Sequence, residues 1–238
     1  MRLMKRTWIS LLLLAVITLM ASAQTTRHEV KVGNFTRLAV IDDINVNYRC
    51  NADSAGLAVM HCPQEIADHL MFNLSNKGRL SIQLVDLYEQ LPQLPTITVY
   101  SSSLEEAENG GKSALVVTGL PPMSAFKVRN TDNGKVIVRN VRASQLELQI
   151  LSGKGKIIAD GTGDNLSLRL IGTGEIQADQ VVATEVSCRI MGTGSMGCHV
   201  NGGELKVSGS GTGKVYYKGT PSKVTVRKLG TIKAIPMQ

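Results

Sequence analysis

The chain has 238 residues, 43% hydrophobic and only 4% aromatic, with a formal net charge of +7 and a pI near 9.3. Three of the positive charges (Arg2, Lys5, Arg6) fall in a leader, and the +4 left on the other 215 residues is too small to mark a nucleic-acid-binding protein. The one tryptophan, Trp8, also lies in the leader, so the remainder is poor in the rings that line sugar-cleaving grooves.

Residues 1–23 read as a secretory signal. The basic start is followed by the uncharged run Ile9 to Met20 and by a small-residue cleavage site, Ala21-Ser22-Ala23, before Gln24. The run is too short to span a bilayer, and no later stretch resembles a membrane helix. The expectation is a cleaved leader, no transmembrane segment after cleavage, and a periplasmic, cell-surface or extracellular location. The first cysteine is Cys50, so none stands at the cleavage point to carry a lipid.

Residues 24–95 form a strand-rich portion. Val30 and Val32 alternate with charge, Leu38 to Ile41 is a short apolar run, and Ile44-Val46-Tyr48 alternates again. Asn51 to Gly56 is turn chemistry. Pro63 opens a possible short helix over Gln64 to Leu70. Met71 to Leu74 and Leu80 to Leu84, joined by Asn76-Lys77-Gly78, read as a hairpin. Asp42-Asp43 at a strand–turn junction is better explained as a solvated turn than as a catalytic pair. Leu91-Pro92-Gln93-Leu94-Pro95 then breaks the pattern.

Residues 96–238 carry a repeat. Gly172-Thr173-Gly174, Gly192-Thr193-Gly194 and Gly211-Thr212-Gly213 are its clear copies, preceded by Gly153-Lys154-Gly155 and followed by Gly230-Thr231-Ile232. The first glycines lie 19, 20, 19 and 19 residues apart, and Gly134 is another 19 upstream. A period of about 20 with strand-like residues on both sides signals a solenoid. Stacking the coils aligns Ile157, Ile176, Met196, Val215 and Ala234 in one apolar column. Leu148, Leu168 and Cys188 fall in another, alternating with Gln149, Arg169 and Arg189. The fold class is therefore all-β: a parallel β-helix of about 20-residue coils behind a strand-rich N-terminal portion. The glycines are corner pieces, and the threonine column is expected to hydrogen-bond along the stack.

The same turns exclude a dinucleotide loop, because strands and not helices follow them. Asp160-Gly161-Thr162-Gly163-Asp164 resembles a calcium turn but occurs once, and the four histidines have no metal spacing. No cofactor, metal or catalytic set is expected. The four cysteines fit no zinc pattern. Cys50 and Cys62 would sit at opposite ends of a hairpin, whereas Cys188 and Cys198 face the core, either as small buried residues or bridged across the coil.

Charge is unevenly distributed. Residues 24–110 carry 6 basic and 11 acidic side chains, whereas 204–238 carry 7 basic and only Glu204 acidic. Lys214, Lys218, Lys223, Arg227, Lys228 and Lys233 thus form either protection for an exposed terminal edge or a surface for a polyanion or other partner.

The Ser/Ile-Gly-Thr-Gly turns, the closing Val215-Tyr216-Tyr217-Lys218-Gly219-Thr220-Pro221 and the last Leu229-Gly230-Thr231 resemble the putative auto-transporter adhesin, head GIN domain family. The opening Asn34-Phe35-Thr36-Arg37-Leu38 followed by Ile44 and Val46 is similar too, and the likeness covers most of residues 28–235. It implies an exported right-handed β-solenoid of Bacteroidetes-type envelopes, without catalytic residues to carry over. The expected role is a non-catalytic scaffold or adhesin-like module that binds an envelope or surface glycan or protein. A carbohydrate-active enzyme on an extracellular polysaccharide is the competing expectation.

Overall fold

A computed structural model describes residues 25–85 and 94–237. The expected leader and Leu91-Pro92-Gln93 lie outside the described residues. Strand makes up 68% of the structure and helix 2%, and the strands wind into a β-solenoid of about seven turns.

The regular coils follow the repeat. β11 (Lys135–Ile150), β12 (Lys156–Gly172) and β13 (Glu175–Gly192) each run around most of one coil. The next coils split into β14 (Ser195–Asn201) with β15 (Glu204–Gly211), then β16 (Lys214–Thr220) with β17 (Lys223–Gly230), and β18 (Lys233–Pro236). All pair in parallel, and Leu148, Leu168, Cys188, Val207 and Val226 occupy successive rungs of one inward column. Alternation follows from the two-residue period of a strand. Leu166, Leu168 and Leu170 point inward and are at most 2% exposed, while Ser167 and Arg169 point out. Each fully buried aliphatic side chain is worth roughly 1.5–3 kcal/mol.

The corners use glycine because neighbouring coils touch there. A β-carbon on Gly194 would lie 2.9 Å from Leu170 Cδ2, and one on Gly174 would lie 3.1 Å from Ile150 Cδ1. The ladder along these corners runs through the backbone: the N–H groups of Thr173, Thr193, Thr212 and Thr231 donate to Gly153, Gly172, Gly192 and Gly211 carbonyls at 2.9–3.2 Å. The threonine side chains point to solvent, and their hydroxyls take no hydrogen-bond partner among the described residues, which corrects the expectation of a side-chain ladder. In earlier coils asparagine replaces the aliphatic residue beneath the corner. The fully buried Asn109 and Asn130 donate from Nδ2 to Ser113 O (2.8 Å) and Gly134 O (2.6 Å). They stand on two rungs between aliphatic members of the same column, Val40 below and Ile150 above.

Toward the N-terminus, stack order departs from chain order. β2 (Arg37–Val40) lies between β6 (Arg79–Leu84) and β8 (Glu106–Asn109), parallel to both. β3 (Val46–Cys50) lies likewise between β7 (Ile97–Ser101) and β9 (Ala114–Thr118). The coil made by residues 37–50 is therefore inserted between coils that come later in the chain, and the described strands before and after residue 95 share one sheet. β10 (Met123–Asn130) joins β8 to β11. β1 (Thr26–Lys31), β4 (Leu57–Cys62) and β5 (Leu70–Leu74) close this end by antiparallel pairing, with β5 and β6 forming the expected hairpin. The helix α1 is shorter than expected, Gln64–Ala67, because Leu70 is already committed to β5. Phe35 and Tyr48 pack edge to face at 6.2 Å in this part of the core. The opposite end is open: the inward residues of the last coil, Val224 and Val226, are each 39% exposed.

Candidate functional site

One face of the solenoid is built from β8, β10, the later halves of β11, β12 and β13, and then β15 and β17. Its outward side chains form columns with one member per rung, about 4.8 Å apart. One column reads Glu108, Arg129, Gln149, Arg169, Arg189, Ser208, Arg227. Its arginines differ in company. Arg129 Nη1 lies 2.7 Å from Glu106 Oε1 and 3.7 Å from Glu108 Oε2. Arg169, Arg189 and Arg227 are exposed and have no carboxylate partner among the described residues.

The carboxylates that line a depression with these arginines are otherwise engaged. Glu147 pairs with Lys127 at 2.8 Å. Glu204 accepts from Thr225 Oγ1 at 2.6 Å and lies 3.3 Å from Lys206 Nζ and 3.8 Å from Lys223 Nζ. The Thr225 hydrogen bond and these two lysines hold the Glu204 carboxyl below the usual carboxylate range, against a smaller opposing effect of desolvation. Glu204, Lys206, Lys223 and the three arginines line an open depression of about 640 Å³. Beside it lie the exposed apolar side chains of Met191 (41%) and Leu229 (77%). Two guanidiniums on adjacent rungs repel, by about 1 kcal/mol at 4 Å even in water. A carboxylate, sulfate or phosphate between them would relieve that repulsion and accept their forked donors.

The structure divides the basic residues picked out by sequence. Lys223 and Arg227 lie on the arginine face, with Lys228 at its rim, where Lys228 Nζ donates to Ile232 O at 2.9 Å. Lys214, Lys218 and Lys233 stand on β16 and β18, a different face. Lys214 and Lys233 are in register there, and Lys218 is tied to Asp179 at 2.7 Å. Sequence reasoning aligned Arg169 with Arg189 but treated them only as the polar half of an alternation. Their common column was the available signal.

The other candidates have structural employment. Asp42 Oδ2 accepts from Leu84 N at 2.7 Å and Asp43 Oδ1 from Lys112 N at 2.6 Å. Asp160 accepts from Arg139 Nη1 at 2.8 Å and Asn140 N at 2.6 Å. Among the described residues no group of three or more His, Cys, Asp or Glu side chains could hold a metal, and no helix is long and apolar enough to cross a membrane.

The family described as putative auto-transporter adhesin, head GIN domain, matches residues 34–221. Among solved structures, a putative adhesin from Bacteroides fragilis superimposes with a TM-score of 0.80 at 19% identity, covering 91% of this chain and 98% of that one. A putative adhesin from Parabacteroides merdae gives 0.67 at 17% identity, with 91% and 98% covered. A putative lipid binding protein from Parabacteroides distasonis gives 0.67 at 19% identity, again with 91% and 98% covered. At these identities the likeness is one of fold. Among curated proteins none matches the chain.

Proposed function

The chain belongs to the putative auto-transporter adhesin, head GIN domain family, and from that premise we propose that it is an exported, non-catalytic binding module of the cell envelope or surface. Its ligand is an anionic surface glycan laid along the solenoid axis. The observation that carries this reading is the column of Arg169, Arg189 and Arg227, three exposed guanidiniums on one face without carboxylates of their own. A rung spacing of about 4.8 Å lets adjacent acidic groups of an extended chain meet Arg169 and Arg189, with Arg227 two rungs further along past Ser208. The carbohydrate-active alternative needs a free acid and a facing base or nucleophile. The carboxylates that line the depression with the arginines, Glu147 and Glu204, are instead paired with lysines.

The test is retention on an immobilised uronate polymer and on a neutral glucan at two salt concentrations. The R169A/R189A variant is expected to bind the uronate polymer at least about ten-fold more weakly, with a shallower salt dependence. K214A and K218A are expected to bind like the unchanged protein. Equal retention by R169A/R189A would overturn the assignment, and turnover of either polymer would favour the enzyme. Met191 and Leu229 beside the arginines favour a second reading, an anionic lipid headgroup. Binding to phosphatidylglycerol vesicles without binding to the uronate polymer would select it. Protease accessibility on intact cells, beside a periplasmic control, tests the location.

A further inference from the structure

Inward residues hold equivalent places on the two arms of each corner. Leu168 stands four residues before Gly172 and Ala178 four after Gly174. In the next coil Cys188 and Cys198 hold the same places around Gly192 and Gly194, and in the one after that Val207 and Tyr217 do so around Gly211 and Gly213. The ladders confirm the equivalence: Cys188 lies between Leu168 and Val207, and Cys198 between Ala178 and Tyr217. A long aliphatic side chain and a short one hold these places in the coil before, and here each arm of the corner supplies a sulfur. Both are sealed in the core, at 1% and 0% exposure. The neighbouring Cys198 thiol, together with burial, pushes the Cys188 thiol well above its ordinary range.

We propose that Cys188 and Cys198 form a disulfide that staples the Gly192-Thr193-Gly194 corner when the chain folds in an oxidising compartment. This is independent of what the arginine face binds. The oxidant is a disulfide, small or carried by a thiol oxidoreductase. One cysteine thiolate attacks it and releases its first thiol. The second cysteine then attacks the mixed disulfide and releases the other. The Cys188–Cys198 bond forms, the oxidant's S–S bond breaks, and the two electrons and two thiol protons leave with its two thiols. The raised, buried thiol reacts poorly once the coil is closed, so exchange belongs to folding. The closed core afterwards shields the bond from reductant.

Cys50 and Cys62 lack this arrangement. Cys50 Sγ donates to Ser102 O at 3.2 Å, and Cys62 is buried separately on β4. The experiment refolds the full chain in glutathione redox buffer, blocks free thiols in denaturant, and maps tryptic peptides without reduction. A parallel preparation secreted to an oxidising periplasm is mapped in the same way. Trypsin cuts after Arg189, between the two cysteines, so the bond links peptides 170–189 and 190–206. The expected result is that linked pair, with Cys50 and Cys62 alkylated. Refolding in reductant should lower Tm by about 5–10 °C, and C188A/C198A should abolish that difference. Alkylation of all four cysteines in both preparations, or links that involve Cys50 or Cys62, would overturn the proposal.

Discussion

At the last corner Ile232 and Gly209 exchange the roles that strand and turn play in the coils before them. Ile150, Leu170 and Ile190 each place an aliphatic side chain against the corner glycine of a later coil, Gly174, Gly194 and Gly213. Gly209 follows Ile190 in that column and supplies no side chain. Ile232 stands where the next corner glycine would be and is fully buried. The hydrophobic group is retained, delivered from the turn and not from the strand. What reads as a decayed repeat is a compensated one.

Ile232→Gly should therefore empty a core position and not restore a better turn. The expected cost is about 2–4 kcal/mol, as for other aliphatic truncations in cores, read as a lower urea midpoint. Equal or greater stability of the variant would refute the exchange.

Gly192 and Gly202 both adopt positive φ, +136° and +87°. A β-carbon on Gly192 would collide with the Gly172 carbonyl of the previous coil, whereas one on Gly202 meets nothing within 4 Å. Gly202→Ala should cost about 1 kcal/mol from backbone strain alone. Gly192→Ala should cost at least about 3 kcal/mol, because two coils must separate. Thermal denaturation of the pair separates conformational strain from coil contact.

Asp179 on β13 and Lys218 on β16 meet at 2.7 Å across Gly197, which has no side chain to part them. Burial opposes ionisation of Asp179, but hydrogen bonds from Lys218 and Gln180 outweigh it and hold the carboxyl below its usual range. A depressed folded pKa stabilises above the unfolded value, about 3.9, and that contribution disappears as pH falls through the lower folded value. Asp179→Asn is expected to lower stability at pH 7 by roughly 0.5–1 kcal/mol, the scale of a partly exposed pair. The gap should close in urea titrations as pH falls below the ordinary carboxylate range. A gap that persists unchanged into strong acid would mean packing, not charge, is responsible.

Tyr48 is fully buried, and its hydroxyl lies 2.9 Å from Ser101 Oγ. Ser101 already donates to Ser103 O at 2.7 Å, so Tyr48 is the donor of the pair. Burial raises the phenol's pKa above its ordinary value, so it stays neutral at any pH the fold survives. Tyr48→Phe keeps the edge contact with Phe35 but leaves Ser101 without its donor, for a loss of about 1 kcal/mol by urea denaturation.

How far the sequence could be read depended on how local each feature is. A parallel stack copies its register every coil, so a one-dimensional period already placed Leu168 over Cys188 and Gly172 over Gly192. The inward and outward faces of the regular coils were legible for the same reason. The arginine column was half legible: alignment puts Arg169 beside Arg189, yet it cannot show that Arg129 has acids in reach and they do not.

The tertiary structure alone decided the insertion of β2 and β3 between later coils. Their partners lie 42 to 69 residues away, from Arg37 with Arg79 to Arg37 with Glu106, in a region without a repeating turn to mark register. It likewise parted the C-terminal basic residues, since Lys223 and Lys233 are close in the chain but belong to different walls of one coil. Sequence by itself determined the repeating interior, because strand alternation and coil period are properties of neighbours along the chain. Contacts between walls, and the order in which coils stack, depend on which distant segments find one another, and only the folded chain carries that information.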